Sequence, residues 1–219
     1  MFTGIIEAVG KIVAWQQSAD DVKVTIDSGK LSMADVSLGD SIATNGVCLT
    51  VTEINSNGYC ADVSAETVKV TRFKDYGVGQ KVNLEKAVTA NTRLGGHMVS
   101  GHVDGVATCV EKSDLGKAIE FWIKPNDLSL LKYIPHKGSV TIDGISLTVN
   151  ELRDEAFRLT IVPHTAAQTT LADLTVGQQV NLEVDLIARY LERLMAPTPD
   201  TKAAGLSMET LARSGFIRG

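Results

Sequence analysis

The sequence predicts an all-β protein of two similar antiparallel barrels in tandem, followed by a C-terminal α-helix. Three observations carry this. An octapeptide, Val78-Gly-Gln-Lys-Val-Asn-Leu-Glu85, returns as Val176-Gly-Gln-Gln-Val-Asn-Leu-Glu183, an offset of 98 residues with one difference, Lys81 against Gln179. Each copy lies among short runs rich in Val, Ile, Leu and Thr, broken by turn signals, and repeats of under about 100 residues with this spacing suggest small antiparallel barrels. The final segment differs, because from Leu186 the apolar residues recur at helical spacing.

Taken in chain order, the repeats begin alike, Met1-Phe-Thr-Gly4 against Met98-Val-Ser-Gly101, at an offset of 97. One residue has therefore been gained or lost before the central hairpins, where Gly46-Val-Cys-Leu-Thr-Val51 falls on Gly144-Ile-Ser-Leu-Thr-Val149 at 98, as Thr67 falls on Thr165. Turns are expected at Asp27-Ser-Gly29, Asn45-Gly46, Asn55-Ser-Asn-Gly58, Gly77-Val-Gly79 and Asp143-Gly144, and a short helix at Ala65 to Phe73. The boundary is placed near Asn91 to Gly96, where Gly95-Gly96 gives the backbone freedom of a linker. This yields an N-terminal barrel over 1–96, a C-terminal barrel over 97–186 and a helical tail over 187–219. In the tail, Leu186, Ile187, Tyr190, Leu191, Leu194 and Met195 form an apolar stripe that ends before Pro197 and Pro199; Ser207 to Arg213 reads as a second short helix. The stripe fits either the helix's own barrel or copies of itself in an oligomer.

The hairpins define two faces. With Asn45-Gly46 as a two-residue turn, Ser41 pairs with Thr50, Ile42 with Leu49, Ala43 with Cys48 and Thr44 with Val47. Ser41, Ala43, Cys48 and Thr50 then share one face, and Ile42, Thr44, Val47, Leu49 and Val51 fill the barrel from the other. In the second repeat Ser139, Thr141, Ser146 and Thr148, all hydroxyls, lie opposite Val140, Ile142, Ile145 and Leu147. Neither polar face carries the Lys and Glu common on solvated strands. Small donors and acceptors in such number suit a polyol held outside the barrels and between them.

Composition removes several function classes. Of the 219 residues 44% are hydrophobic, enough for packed domains; the net charge of −5 and the scattered Lys and Arg argue against nucleic-acid binding. No apolar run approaches a bilayer span, and no basic leader is apparent, so a soluble, cytoplasmic protein is expected. Cys48, Cys60 and Cys109 form no CxxC pair, and His97, His102, His136 and His164 no HExxH, so no metal is implied. Cys60 and Cys109 read as buried hydrophobes, and His97, after two glycines, as structural. No Gly-rich nucleotide-binding motif is present.

Four segments together, Met1-Phe-Thr-Gly-Ile5, Asn45-Gly-Val-Cys-Leu-Thr50, Gly95-Gly-His-Met-Val-Ser-Gly-His102 and Asp143-Gly-Ile-Ser-Leu-Thr148, make the chain resemble the riboflavin synthase family over roughly residues 1 to 190. The resemblance implies six-stranded Greek-key barrels, each binding one 6,7-dimethyl-8-ribityllumazine. It also implies a homotrimer held partly by C-terminal helices, with catalysis where the N-terminal barrel of one subunit meets the C-terminal barrel of the next. The implied reaction dismutates two lumazines by transfer of a four-carbon unit to riboflavin and 5-amino-6-ribitylamino-uracil, and because donor and acceptor are the same compound it implies no cofactor. Whether a lumazine synthase shell encloses the trimer is left open.

By the same resemblance Ser41, Cys48 and His102 are catalytic candidates of the first repeat, and Ser146, Asp185, Asp143 and Thr148 of the second. Gly4, Ile5, Thr50, Gly101 and Val103 fall in substrate-binding segments, and Thr67, Thr165 and Lys137 line ribityl sites. Cys48 could act as a thiolate or position a hydroxide, and His102 could move protons near neutral pH. Asp185 either caps the following helix or reaches ligand. Many family members carry a second cysteine where Val47 stands, a position on the apolar face that Val suits. The rivals are a non-catalytic lumazine or flavin carrier on the same barrels, and the flavin barrel of a reductase, which would need a nucleotide domain after it.

Overall fold

The computed structural model describes residues 1–18 and 21–196. The first repeat supplies β1 (Ala8–Ser18), β2 (Asp21–Asp27), β3 (Ser41–Thr44), β4 (Val47–Asn55), β5 (Gly58–Val63) and β6 (Lys81–Lys86), with α1 (Ala65–Val70) between the last two. The second supplies β7 (Gly105–Asp114), β8 (Ile119–Pro125), β9 (Ser139–Ile142), β10 (Ile145–Leu152), β11 (Phe157–Ile161) and β12 (Gln179–Val184), with α2 (Pro163–Gln168) in the same place. Both close into antiparallel barrels with one order, β1-β2-β5-β4-β3-β6 and its counterpart β7-β8-β11-β10-β9-β12. The last strand lies beside the first of three hairpin-connected strands, which is a Greek key. Both barrels carry the same bulges, at Ile12/Ala14 and Cys109/Glu111 and at Val51/Glu53 and Val149/Glu151, where a small barrel needs its strands to bend.

Alternation fills each interior. Ile12, Val24, Ile26, Ile42, Tyr59, Phe73 and Leu84 form the first core, and Phe121, Ile123, Val140, Ile142, Phe157, Leu159 and Leu182 the second, all buried. Thr44, which the hairpin register places on the inner face, satisfies its hydroxyl at 2.7 Å from the Tyr59 hydroxyl.

The two hairpin tips meet. The β3–β4 register is the one the Asn-Gly turn predicts, and Asn45 and Asp143 adopt the positive φ it requires, 47° and 45°. The shared octapeptide then locks tip to tip through its asparagines. Asn83 Nδ2 donates to the Asp143 carbonyl and Asn181 Nδ2 to the Asn45 carbonyl, both at 2.9 Å, and each side-chain oxygen accepts an amide beside the opposite helix, Thr170 N at 2.9 Å and Arg72 N at 2.8 Å. A Cβ on Gly46 would stand 2.7 Å from Gly144 N. Gly46→Ala is therefore expected to lose about 2 kcal/mol, from positive φ and the clash together; equilibrium urea unfolding checks it, and an unchanged midpoint would contradict the contact.

The last described helix, α3 (Leu186–Met195), coincides with the predicted one. Its first turn is tied down by Arg189, whose Nε donates to Asp104 at 3.0 Å and whose guanidinium lies over the Tyr133 ring. Ile187, Tyr190, Leu191, Leu194 and Met195 are exposed. The short helix expected at Ser207 to Arg213 lies outside the described residues. Among the described residues no helix is long and apolar enough to cross a membrane.

Candidate functional site

The hydroxyl-rich faces do lie outside the barrels, but their turn-ward halves are covered. Ala43 and Thr141 are buried, Ser41, Cys48, Ser139 and Ser146 half-buried, and only Thr50 and Thr148 exposed. The cover is the leading segment of each repeat. Phe2 and Val99 pair as a two-residue antiparallel bridge, N–H to carbonyl at 2.8 and 3.0 Å, and form a small apolar cluster with Ala43 against which Cys48 packs.

From that bridge the segments cross. Ser146 N donates to the Gly4 carbonyl at 2.8 Å, and Cys48 N to the Gly101 carbonyl at 2.9 Å, so each hairpin is edged by the leading segment of the other repeat. Ile6 packs on the second core and Val103 on the first. Both glycines have positive φ, and a Cβ would stand 2.5 Å from Ser146 Cβ or 2.7 Å from Cys48 Cβ. That close approach explains why Gly4 and Gly101 occupy these places.

Around Ser146 the crossing encloses an open cavity of about 410 Å³. Gly4, Ile5 and Ile6 form one wall, Ile145, Ser146 and Leu147 of β10 the floor, and His164, Thr165, Gln168 and Thr169 of the α2 region the other wall. An apolar body with hydroxyl, amide and imidazole groups at its edges suits a ring carrying a polyol. Of the residues expected to bind ligand, Gly4, Ile5, Ser146 and Thr165 come together here. His164, Gln168 and Thr169 were not foreseen, although helical spacing from Thr165 places Gln168 and Thr169 on its face.

His97, which the sequence marks as structural, meets the second hairpin. Its Nδ1 lies 2.7 Å from Ser146 Oγ and its Nε2 3.2 Å from Thr141 Oγ1. Burial pushes the imidazole pKa below its usual value while Asp185 pulls it partly back, so the ring is neutral at pH 7, one nitrogen donating and the other accepting. The Gly95-Gly96 pair lets the chain pass over the hairpin, because a Cβ on Gly96 would stand 2.2 Å from the Thr3 carbonyl oxygen and 2.7 Å from Ser146 Cβ.

The remaining candidates spread over both barrels. Cys48, Gly101 and Val103 gather on the first barrel, with His102 exposed beside them and its N–H donating to Ser100 Oγ at 3.1 Å. Ser41 pairs across the strands with Thr50, and Thr148 with Ser139. Thr67 Oγ1 sits 3.0 Å from the capping Ser64 hydroxyl. Lys137 is exposed and holds a φ of 66°, where the first repeat has Gly39 at 91°. Asp185 caps α3, accepting from Ile187 N at 2.9 Å, and still reaches His97 electrostatically. Asp143 does not line the Ser146 cavity; it is buried in the seam between the tips, where its carboxylate accepts from Asn181 N at 2.7 Å and burial pushes its pKa up to about 7. No cluster of three metal-ligating side chains occurs among the described residues.

The family model described as "Lumazine binding domain" matches twice, over residues 3–87 and 100–185. The chain is 53% identical to riboflavin synthase of Photobacterium phosphoreum, over 99% of this chain and all of that one. It is 42% identical to riboflavin synthase of Bacillus subtilis (strain 168), again over 99% of this chain and all of the relative. Among solved structures, LumP complexed with 6,7-dimethyl-8-(1'-D-ribityl) lumazine is similar with a TM-score of 0.75 and 28% identity, covering 84% of this chain and 99% of that chain. LumP complexed with riboflavin gives 0.77 at the same identity and coverage. Two matched lumazine-binding repeats in tandem and full-length likeness to several synthases place this chain in the riboflavin synthase family.

Proposed function

We propose that the chain dismutates two molecules of 6,7-dimethyl-8-ribityllumazine, passing a four-carbon unit from one to the other to give riboflavin and 5-amino-6-ribitylamino-uracil. The observation that carries this is the pairing of two alike hairpin sites that differ at the residue each leading segment edges, Cys48 in the first and Ser146 in the second. Two identical substrates need two similar binding sites, and an exchange between them needs those sites to act differently. Donor and acceptor are one compound, so the reaction balances without an outside oxidant.

Each barrel holds one lumazine, with the ring over the hairpin and the ribityl chain toward α1 or α2, where Thr67 and Thr165 stand. Gly4, Ile5, Ser146, Thr148 and Lys137 serve the second site, and Gly101, Val103, Cys48 and Thr50 the first. His102 and Ser41 on the first barrel, and Ser146 with His97 and Asp185 on the second, supply the groups that move protons. Asp143 acts through the hairpin it anchors. Holding two rings in reactive register supplies much of the acceleration. The Cys48 and Ser146 clusters lie on different barrels of one chain, and the exposed apolar residues of α3 favour self-association. Both fit a homotrimer in which the first barrel of one subunit meets the second barrel of its neighbour. Three unpaired cysteines suit the reducing cytoplasm.

Incubating the purified protein with the lumazine and following riboflavin absorbance tests the reading. Binding without turnover would leave a carrier such as LumP as the better description. Cys48→Ser gives the first site the second site's residue; it is expected to keep both ligands and lose about tenfold in kcat, and unchanged kcat would remove Cys48 from the chemistry.

A further inference from the structure

The duplicated octapeptide ends in Glu85 and Glu183, and neither carboxylate lines the Ser146 cavity or stands beside Cys48 on its hairpin. Both are 3% exposed. A carboxylate out of water is costly unless its oxygens are filled, and here the leading segments fill them. Glu85 Oε1 accepts from Thr3 N at 2.6 Å and Thr3 Oγ1 at 2.7 Å, and Oε2 from Gly4 N at 2.9 Å. Glu183 repeats the pattern, Oε1 accepting from Ser100 N and Ser100 Oγ at 2.7 Å and Oε2 from Gly101 N at 3.1 Å. Burial still pushes Glu183 up to about 7 against those three donors, so the group does not sit there as an optimal stabiliser.

What the carboxylates hold is the point of crossing. Gly4, gripped through its N–H by the first barrel's β6, gives its carbonyl to Ser146 on the second barrel; Gly101, gripped by the second barrel's β12, gives its carbonyl to Cys48 on the first. We propose that Glu85 and Glu183 are positioning residues acting across the seam, Glu85 setting the wall of the Ser146 site and Glu183 setting the wall of the Cys48 site together with the neighbouring His102. A carboxylate is needed because it offers two acceptor oxygens to three donors. Glutamine would turn an NH2 toward one of them. What the two sites do rests on the reading above; the crossed control does not.

The test is amide hydrogen exchange, read by mass spectrometry on full-length Glu85→Gln and Glu183→Gln, with and without riboflavin, beside lumazine turnover. Glu85→Gln is expected to speed exchange in the 139–150 hairpin about tenfold while leaving 41–52 as in the parent, and Glu183→Gln to do the reverse. Added riboflavin should then protect only 41–52 in the first variant and only 139–150 in the second. Equal loosening of both hairpins, or loosening confined to the mutated barrel's own hairpin, overturns the proposal and leaves the carboxylates as plain buttresses. Should the glutamine variants fail to fold, Thr3→Val and Ser100→Ala, each removing one of the three bonds, must show the same crossed pattern at about two- to threefold, and its absence there counts equally against it. If the parent protein binds riboflavin but does not turn over lumazine, the proposed activity fails while the exchange pattern still decides the crossing.

Discussion

Ser146→Ala is expected to lower lumazine turnover about 100-fold or more, with a much smaller change in KM. The hydroxyl lies on the floor of the cavity, 2.7 Å from a neutral imidazole whose other nitrogen is held 3.2 Å from the Thr141 hydroxyl. In one tautomer Nε2–H donates to Thr141 and Nδ1 accepts the Ser146 proton, leaving the serine lone pairs facing ligand; in the other, Nδ1–H donates to Ser146 and steadies charge that develops there. Alanine removes the relay in both cases while leaving the fold of β10 untouched. His97→Ala should cost a similar factor, and the double variant no more than the worse single, because two members of one relay are not additive. Riboflavin formation under saturating lumazine reads all three. Turnover of Ser146→Ala within threefold of the parent, or strictly multiplicative losses, would place the chemistry elsewhere. Since the His97 pKa lies below its usual value, the parent should hold its activity down to mildly acidic pH and lose it only as the ring protonates.

Asp143→Asn carries a large expected effect on stability, and its size depends on pH. The folded pKa is raised to about 7 from the ordinary carboxylate value of 3.8. The acid is therefore bound more tightly by protons in the folded state than in the unfolded, so stability is full below the unfolded pKa and falls as pH rises through the folded one. The penalty is complete above pH 7, with an upper bound of about 4 kcal/mol. Asparagine abolishes it and suits the site, for Asn45 occupies the matching position, tolerates the same positive φ, and accepts from Asn83 N as Asp143 accepts from Asn181 N. Its counterpart also donates to Tyr76, whereas Leu174 stands at the matching place here, so part of the gain is offset. The variant should match the parent near pH 4 and exceed it by about 2 kcal/mol at pH 8 in urea unfolding. A difference that does not change with pH would mean that the carboxyl is already charged in the folded protein. Glu183 is raised to about 7 as well, so the parent's remaining pH slope persists in the variant.

Much of this protein was legible in local signals. The octapeptide and its constant offset announce the duplication; Asn45-Gly46 and Asp143-Gly144 impose positive φ and with it the register of both hairpins; the apolar stripe from Leu186 to Met195 bounds α3. Gly4, Ile5, Ser146 and Thr165 were recognised and do line one cavity. Each of these is dictated within a few residues by turn sterics or periodicity. The contact of His97 with Ser146, the burial of Asp143, and the grips of Glu85 and Glu183 were not legible, because each depends on a partner 38 to 83 residues away along the chain. The sequence alone therefore determined two barrels and the faces of their hairpins. Only the tertiary structure decided that the leading segments change sides, because that choice is made by packing between the barrels: Phe2 and Val99 must bury together, and two glycines give the clearance that lets the backbones pass.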